Sequence, residues 1–156
     1  MNFITTLLLI VFLYFIALRV YTIDIPNDLI VKIIKESENK DDIKSKNLDL
    51  ISVKYTGWIF DSNATTNNYC DAKGKMFDSN IFDTFHHTQP FQFVLGEGTV
   101  IKGWDLGLQD MRIKEQRCLV IPPHLAYGNR RIGNIIKPNS TLIFEVKLLE
   151  ILQIEK

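Results

Sequence analysis

The chain has 156 residues, which bounds it to one domain or two very small ones. Its 18 Lys and Arg residues balance its 18 Asp and Glu residues, so a nucleic-acid binder relying on bulk positive charge is excluded. Hydrophobic residues at 46% and charged residues at 23% exclude a disordered chain, and two cysteines, Cys70 and Cys118, exclude a disulfide-stapled miniprotein and a four-cysteine zinc site.

From Phe3 to Leu18 the chain is apolar except for Thr5, Thr6 and Tyr14, and the first charged side chain is Arg19. As a helix that run rises ~24 Å, short of the ~30 Å hydrocarbon core of a bilayer. It reads as the core of a signal peptide spanning residues 1–22, cleaved after Thr22, although a basic amino-terminal region is missing. An uncleaved membrane anchor and a buried helix are the alternatives. Two sequons, Asn63-Ala64-Thr65 and Asn139-Ser140-Thr141, fit a secretory route as glycosylation sites. The end Ile154-Glu155-Lys156 carries no Lys-Asp-Glu-Leu type signal, so the endoplasmic reticulum lumen and secretion are equally open.

Residues 23–47 read as an amino-terminal extension with a first strand over Leu29–Ile34 and a charged, Asn-containing loop from Lys35 to Asn47. Residues 48–156 read as the main domain. In 49–55, alternation puts Ile51, Val53 and Tyr55 on one face of a strand. Asp61 to Lys75 is polar and reads as a long surface loop, followed by a short strand or bulge over Met76–Ser79. Phe91–Leu95 alternates and ends at the Gly96/Gly98 turn. Ile101, Trp104, Leu108 and Met111 recur at helical spacing, which predicts one short helix within 100–111. Gln116–Ile121 is a strand stopped by Pro122-Pro123, 125–139 is a loop, and Thr141–Ile151 is a last strand with Leu142, Phe144, Val146 and Leu148 inward. The plan is α+β, mostly antiparallel sheet with one helix.

No metal box, catalytic triad or phosphate loop is present, and no cofactor is implied. Adjacent His86 and His87 point to opposite faces of an extended chain, and His124 follows two prolines. What stands out is aromatics beside glycines and turns: Tyr55-Thr56-Gly57, Phe77-Asp78-Ser79, Gly103-Trp104-Asp105 and Ala126-Tyr127-Gly128. Each ring serves a core equally well, but a glycine beside it can leave its face open to a ligand.

These segments fall into an ordered set of blocks: Val53–Gly57, Phe77–Ser79, Pro90–Gly96, Val100–Asp105, Leu119–Pro123, Leu125–Gly128 and Ser140–Val146. The set resembles the FK506-binding-protein (FKBP) family of peptidyl-prolyl isomerases, over roughly Leu48 to Leu152. The resemblance implies an antiparallel sheet wrapped over one short helix, with a hydrophobic pocket between them. It implies Trp104 as the pocket floor where the helix opens. Tyr55, Phe77, Phe91 and Phe144 would be its walls, with Val100, Ile101 and Ile136. It implies that Asp78 holds Tyr55, and that the Ile101 backbone N–H and the Tyr127 hydroxyl bind ligand carbonyls. Tyr55, Asp78, Trp104, Tyr127 and Phe144 are the implied catalytic set. The implied partners are proline-containing polypeptides and FK506- or rapamycin-type macrolides, with the chain acting as a monomer; nucleic acid is not among them, and a membrane is a partner only if the leader is uncleaved.

The sequence departs from the family pattern in places. The stretches before Phe77 and between Phe77 and Pro90 are enlarged, and the second borders the pocket, where His87 is the candidate for a basic residue. Ile132 and Asn134 occupy the rim loop, and Lys137 replaces a proline. Lys114-Glu115 lacks the usual glycine before the glutamate, so a different turn is expected. An oxidising compartment permits a Cys70–Cys118 bridge tethering the enlarged loop; two unpaired thiols are the alternative. The functional expectation is an isomerase of X-Pro bonds in the secretory pathway, with a non-catalytic binding module of the same fold as the alternative.

Overall fold

The computed structural model describes residues 23–38, 43–82 and 85–152. The expected leader, residues 1–22, lies outside them. The strands are β1 (Ile30–Lys35), β2 (Leu50–Phe60), β3 (Lys73–Ser79), β4 (Phe91–Val94), β5 (Gln116–Ile121) and β6 (Leu142–Leu152), with helix α1 at Lys102–Gly107. All pairings are antiparallel in one six-stranded sheet of order β1-β5-β6-β2-β3, with β4 also on β2. Among the described residues the α+β plan with one short α-helix therefore holds. The first strand joins the same sheet through β5, so Ile30–Lys35 is not structurally separate from the rest.

Strand β2 organises the sheet. One edge pairs with β6 from Leu50 to Ile59. Its other edge is divided: residues 50–53 pair with β4, and 56–60 with β3. Tyr55 lies at the division. Asn80 fills the gap as a surrogate strand: its Oδ1 accepts from Tyr55 N (2.7 Å), and its Nδ2 donates to the carbonyls of Val53 and Gln89 (both 3.0 Å). Buried backbone groups must be paired, and this fully buried amide pairs three of them where the strands part.

The inner face of the sheet and α1 enclose one core, containing Ile51, Val53, Leu119, Ile121, Leu142, Val146 and Leu148, each fully buried, with Trp104 from the helix and Leu108 and Met111 from the chain just after it. The alternation read from β2 and β6 is thus the one observed. The carboxyl end of α1 is held by Arg117, whose Nη1 donates to the carbonyls of Gly107 (2.9 Å) and Gln109 (2.6 Å) and whose Nη2 donates to Asp110 (2.9 Å). Glu115, fully buried, balances that charge at 2.5 Å. Orphan carbonyls at a helix terminus favour such a cation.

One expectation is corrected. The 61–75 stretch is only partly a surface loop: Cys70 and Ala72 are buried, and β3 already begins at Lys73. They close over the outer face of the sheet in a second apolar cluster with Ile23, Phe60, Cys118, Val120 and Ile143, because that face also carries apolar side chains that need cover. Cys118 faces outward from the inner core, as alternation required, and is bonded to Cys70 in a disulfide. The turn before Glu115 is made without a glycine. Lys114 itself adopts φ 68°, the left-handed region, while Arg112 N donates to Glu115 Oε2 (3.1 Å).

Candidate active site

Six segments converge on one cavity of about 520 Å³, open to solvent on one side. Strand β2 supplies Tyr55, β3 supplies Phe77 and Asp78, β6 supplies Phe144, and the turn into α1 supplies Val100, Ile101 and Trp104. Phe91 from β4 and Tyr127 from the loop after Pro123 complete the walls. Alternation explains the strand contributions: Tyr55 follows Ile51 and Val53 inward, and Phe144 sits between Leu142 and Val146. Trp104 is buried in the first turn of α1, where the helix meets the sheet.

The rings brace one another. Trp104 meets Tyr55 edge-on at 5.1 Å and Phe144 at 5.2 Å, and Phe144 meets Phe77 at 5.5 Å, all near perpendicular. Edge-to-face contacts of this kind add to area burial and fix ring orientation. Close approach at Gly57 makes the arrangement possible: a Cβ there would lie 2.7 Å from Phe77 Cζ and 2.8 Å from Phe144 Cε1. The Gly96–Gly98 turn that leads to Val100 and Ile101 is pinned by Asp105, which accepts the N–H of Gly96 (2.8 Å) and of Gly98 (3.1 Å). Gly96 has φ 83°, and a Cβ there would collide with Asn47 Oδ1 at 1.6 Å.

Asp78 is the carboxylate of the cavity. Its Oδ2 accepts the Tyr55 hydroxyl at 2.6 Å, as the resemblance implied, and its Oδ1 lies 2.9 Å from His87 Nε2. His87, the candidate for a basic residue in the enlarged stretch, thus contacts Asp78. Burial first, then the bonded Asp78 carboxylate, push the Tyr55 hydroxyl well above the ordinary tyrosine range, so it remains a neutral donor. Burial and the Asp78 charge also raise Tyr127, and Arg130 opposes them. Among the described residues neither the Tyr127 hydroxyl nor the Ile101 backbone N–H has a protein hydrogen-bond partner. Two donors at the edge of an apolar cavity are thus available to carbonyls of a ligand.

Nine of the ten residues assigned to this site from sequence line the cavity together. Ile136 does not: it is buried in the core at 5% exposure, because its backbone forms a short bridge with Ile132 that turns its side chain inward. Ile132 is also absent from the walls, and Asn134 borders a separate cavity beside Ile59 and Lys75. Arg130 and Lys102, which line the cavity, were missed. Arg130 follows Tyr127 in an irregular loop with no periodicity to aim it, so only the spacing to Tyr127-Gly128 carried a signal. Asn63 and Asn139 are both exposed.

Comparison with known proteins follows the same lines. The profile of the FKBP-type peptidyl-prolyl cis-trans isomerase family matches residues 41–149. FK506-binding protein 2B of Rhizopus delemar is 46% identical over 108 residues, covering 69% of this chain and 44% of that protein. FK506-binding protein 2 of Yarrowia lipolytica is 44% identical over 108 residues, covering 69% of this chain and 64% of that protein. FK506-binding protein 1A of Neurospora crassa is 52% identical over 83 residues, covering 53% of this chain and 66% of that protein. The chain thus spans less than half of the first relative and just under two thirds of the other two.

Proposed function

The chain belongs to the FKBP-type peptidyl-prolyl cis-trans isomerase family, and on that premise we propose that it accelerates rotation about X-Pro bonds of proteins folding in the secretory pathway. The observation that carries the reading is the cavity itself: five mutually braced aromatic rings with two unpaired donors at its edge.

Rotation about an amide is opposed by resonance, with a barrier of ~18–20 kcal/mol. Uncatalysed X-Pro exchange takes tens to hundreds of seconds, on the order of a slow folding step. No bond is made or broken between protein and peptide, so no nucleophile is required. The planar amide carries negative charge on its oxygen, and water stabilises it. Seating the prolyl ring over Trp104, between Tyr55, Phe77, Phe91 and Phe144, withdraws that water and disfavours the planar form relative to the twisted one. The Tyr127 hydroxyl and Ile101 N–H anchor ligand carbonyls while the C–N bond turns. Asp78 holds the Tyr55 ring in place. Each ~1.4 kcal/mol removed from the barrier speeds rotation tenfold.

The compartment is part of the proposal. A Cys70–Cys118 disulfide is favoured in oxidising surroundings, and both sequon asparagines are exposed to a transferase. The reading includes removal of residues 1–22, residence in the endoplasmic reticulum lumen or secretion, action as a monomer, and binding of FK506- or rapamycin-type macrolides in the same cavity. Amino-terminal sequencing and a glycosidase mobility shift of protein made in a eukaryotic secretory host test the route. For the activity, the test is cis/trans exchange of a short Xaa-Pro peptide by NMR, with and without FK506. Acceleration that the drug suppresses, and that Tyr127→Phe weakens, is expected. A folded sample that leaves exchange at its uncatalysed rate refutes the isomerase.

A further inference from the structure

Three formal charges line the cavity: Asp78, Lys102 and Arg130. The carboxylate is already engaged on both oxygens, by the Tyr55 hydroxyl and by His87. The cations are not. Lys102 is exposed and takes part in no ion pair among the described residues. Arg130 is exposed, and its one side-chain hydrogen bond runs from Nε to the Tyr127 carbonyl at 3.4 Å, which leaves both Nη groups without a partner among the described residues. The Arg130 charge opposes the larger effect of burial on the Tyr127 hydroxyl, which places the two near one another at the cavity edge. The chain as a whole has zero formal net charge, so this local excess is a property of the cavity and not of the surface at large.

Placement gives the excess a use. Lys102 directly follows Ile101, and Arg130 lies three residues beyond Tyr127, so each cation stands beside one of the two donors available to ligand carbonyls. Apolar walls focus the field of such charges, and a guanidinium fork matches a carboxylate geometrically.

We propose that the cavity favours X-Pro segments bearing an acidic side chain next to the isomerised bond, with Arg130 and Lys102 as the specificity-determining residues. This rests on the isomerase reading above. The attraction acts alike on the planar and the twisted peptide, so it lowers KM and leaves kcat nearly unchanged. Solvent-exposed pairs of this kind are worth about two- to fivefold each, and they weaken with salt.

The test uses blocked peptides, identical except for Glu, Gln or Lys, placed at the residue before proline in one set and after it in another. Catalysed exchange by the purified protein is compared with the uncatalysed rate of each peptide. Expected is the order Glu over Gln over Lys in at least one set, carried by KM and compressed at high salt. Arg130→Gln with Lys102→Gln should bring the Glu-to-Gln ratio near one, and Arg130→Glu should favour the Lys peptide. Equal rates for Glu and Gln in both sets overturn the inference while leaving the isomerase intact. A Glu preference that survives both substitutions overturns the assignment to these residues. No acceleration of any peptide removes the isomerase reading, and this inference with it.

Discussion

Replacing Gly57 by alanine tests whether the cavity walls, and not merely the fold, carry the activity. The new Cβ would lie 2.7 Å and 3.0 Å from Phe77 and 2.8 Å from Phe144. Ordinary carbon contacts lie at ~3.5–4.0 Å, so the shortfall is about 0.5–1 Å on two rings. Strand β2 cannot retreat, since Gly57 is paired with Phe144 on one side and Asp78 on the other. Phe144 is backed by Trp104 at 5.2 Å and Phe77 by Phe144 at 5.5 Å, so the open direction for both rings is the cavity. Overpacking of this kind costs ~1–3 kcal/mol, and alanine returns about 0.4–1 kcal/mol by stiffening the unfolded chain. A net stability loss of about 1–2 kcal/mol is therefore expected by urea denaturation. If most of the displacement enters the cavity, kcat/KM for an Xaa-Pro peptide falls about tenfold, since ~1.4 kcal/mol is a factor of ten. A variant that loses stability yet keeps its kcat/KM would show that the rings move elsewhere and would refute the reasoning.

Removing the Asn80 side chain should be costly far out of proportion to its size: Asn80→Ala strands the Tyr55 N–H and the Val53 and Gln89 carbonyls, and at ~1 kcal/mol each the loss is about 3 kcal/mol in a urea titration; a loss below about 1 kcal/mol would mean water replaces the amide. The Cys70–Cys118 bridge closes a loop with a sequence separation of 48, which the chain-entropy relation converts to about 4 kcal/mol. Denaturant midpoints with and without reductant measure it, and two titratable thiols in the native protein would contradict the bridge. Both Tyr55 and Tyr127 are held neutral by burial and by Asp78, so their folded pKa values lie above the unfolded value of about 10. Their contribution to stability is complete below about pH 10 and is lost as pH rises through the folded values, because the unfolded chain ionises first. Midpoints followed into alkali should fall, less so in Tyr55→Phe, and an unchanged slope in that variant would count against the assignment.

Much of the site was legible in the sequence, and the reasons differ by element. Alternation in 49–55 and 142–148 assigns Tyr55 and Phe144 to the buried face because a strand has a period of two and its inner face must be apolar. Helical spacing brings Trp104 to the same side as Leu108. The ordered motif blocks then joined residues from six segments into one cavity, which periodicity alone does not do. Arg130, Asn80 and Asp105 escaped because each acts through a single polar group placed by tertiary packing, and no local pattern marks such a group.

What the amino-acid order determined by itself was the set of strands, the short helix, the inward faces and the family motifs, since these follow from local geometry and from burial that repeats along the chain. Tertiary structure decided the rest. It turned Ile136 into the core and away from the cavity, and it folded Cys70 and Ala72 over an outer face whose apolar side chains needed cover. It brought His87 to the second oxygen of Asp78 and, among the described residues, left Arg130 and Lys102 without an ion pair beside the two free donors. Hydrogen bonds and charge interactions depend on distances of a few ångströms between residues remote in sequence, and only the packed chain sets those distances.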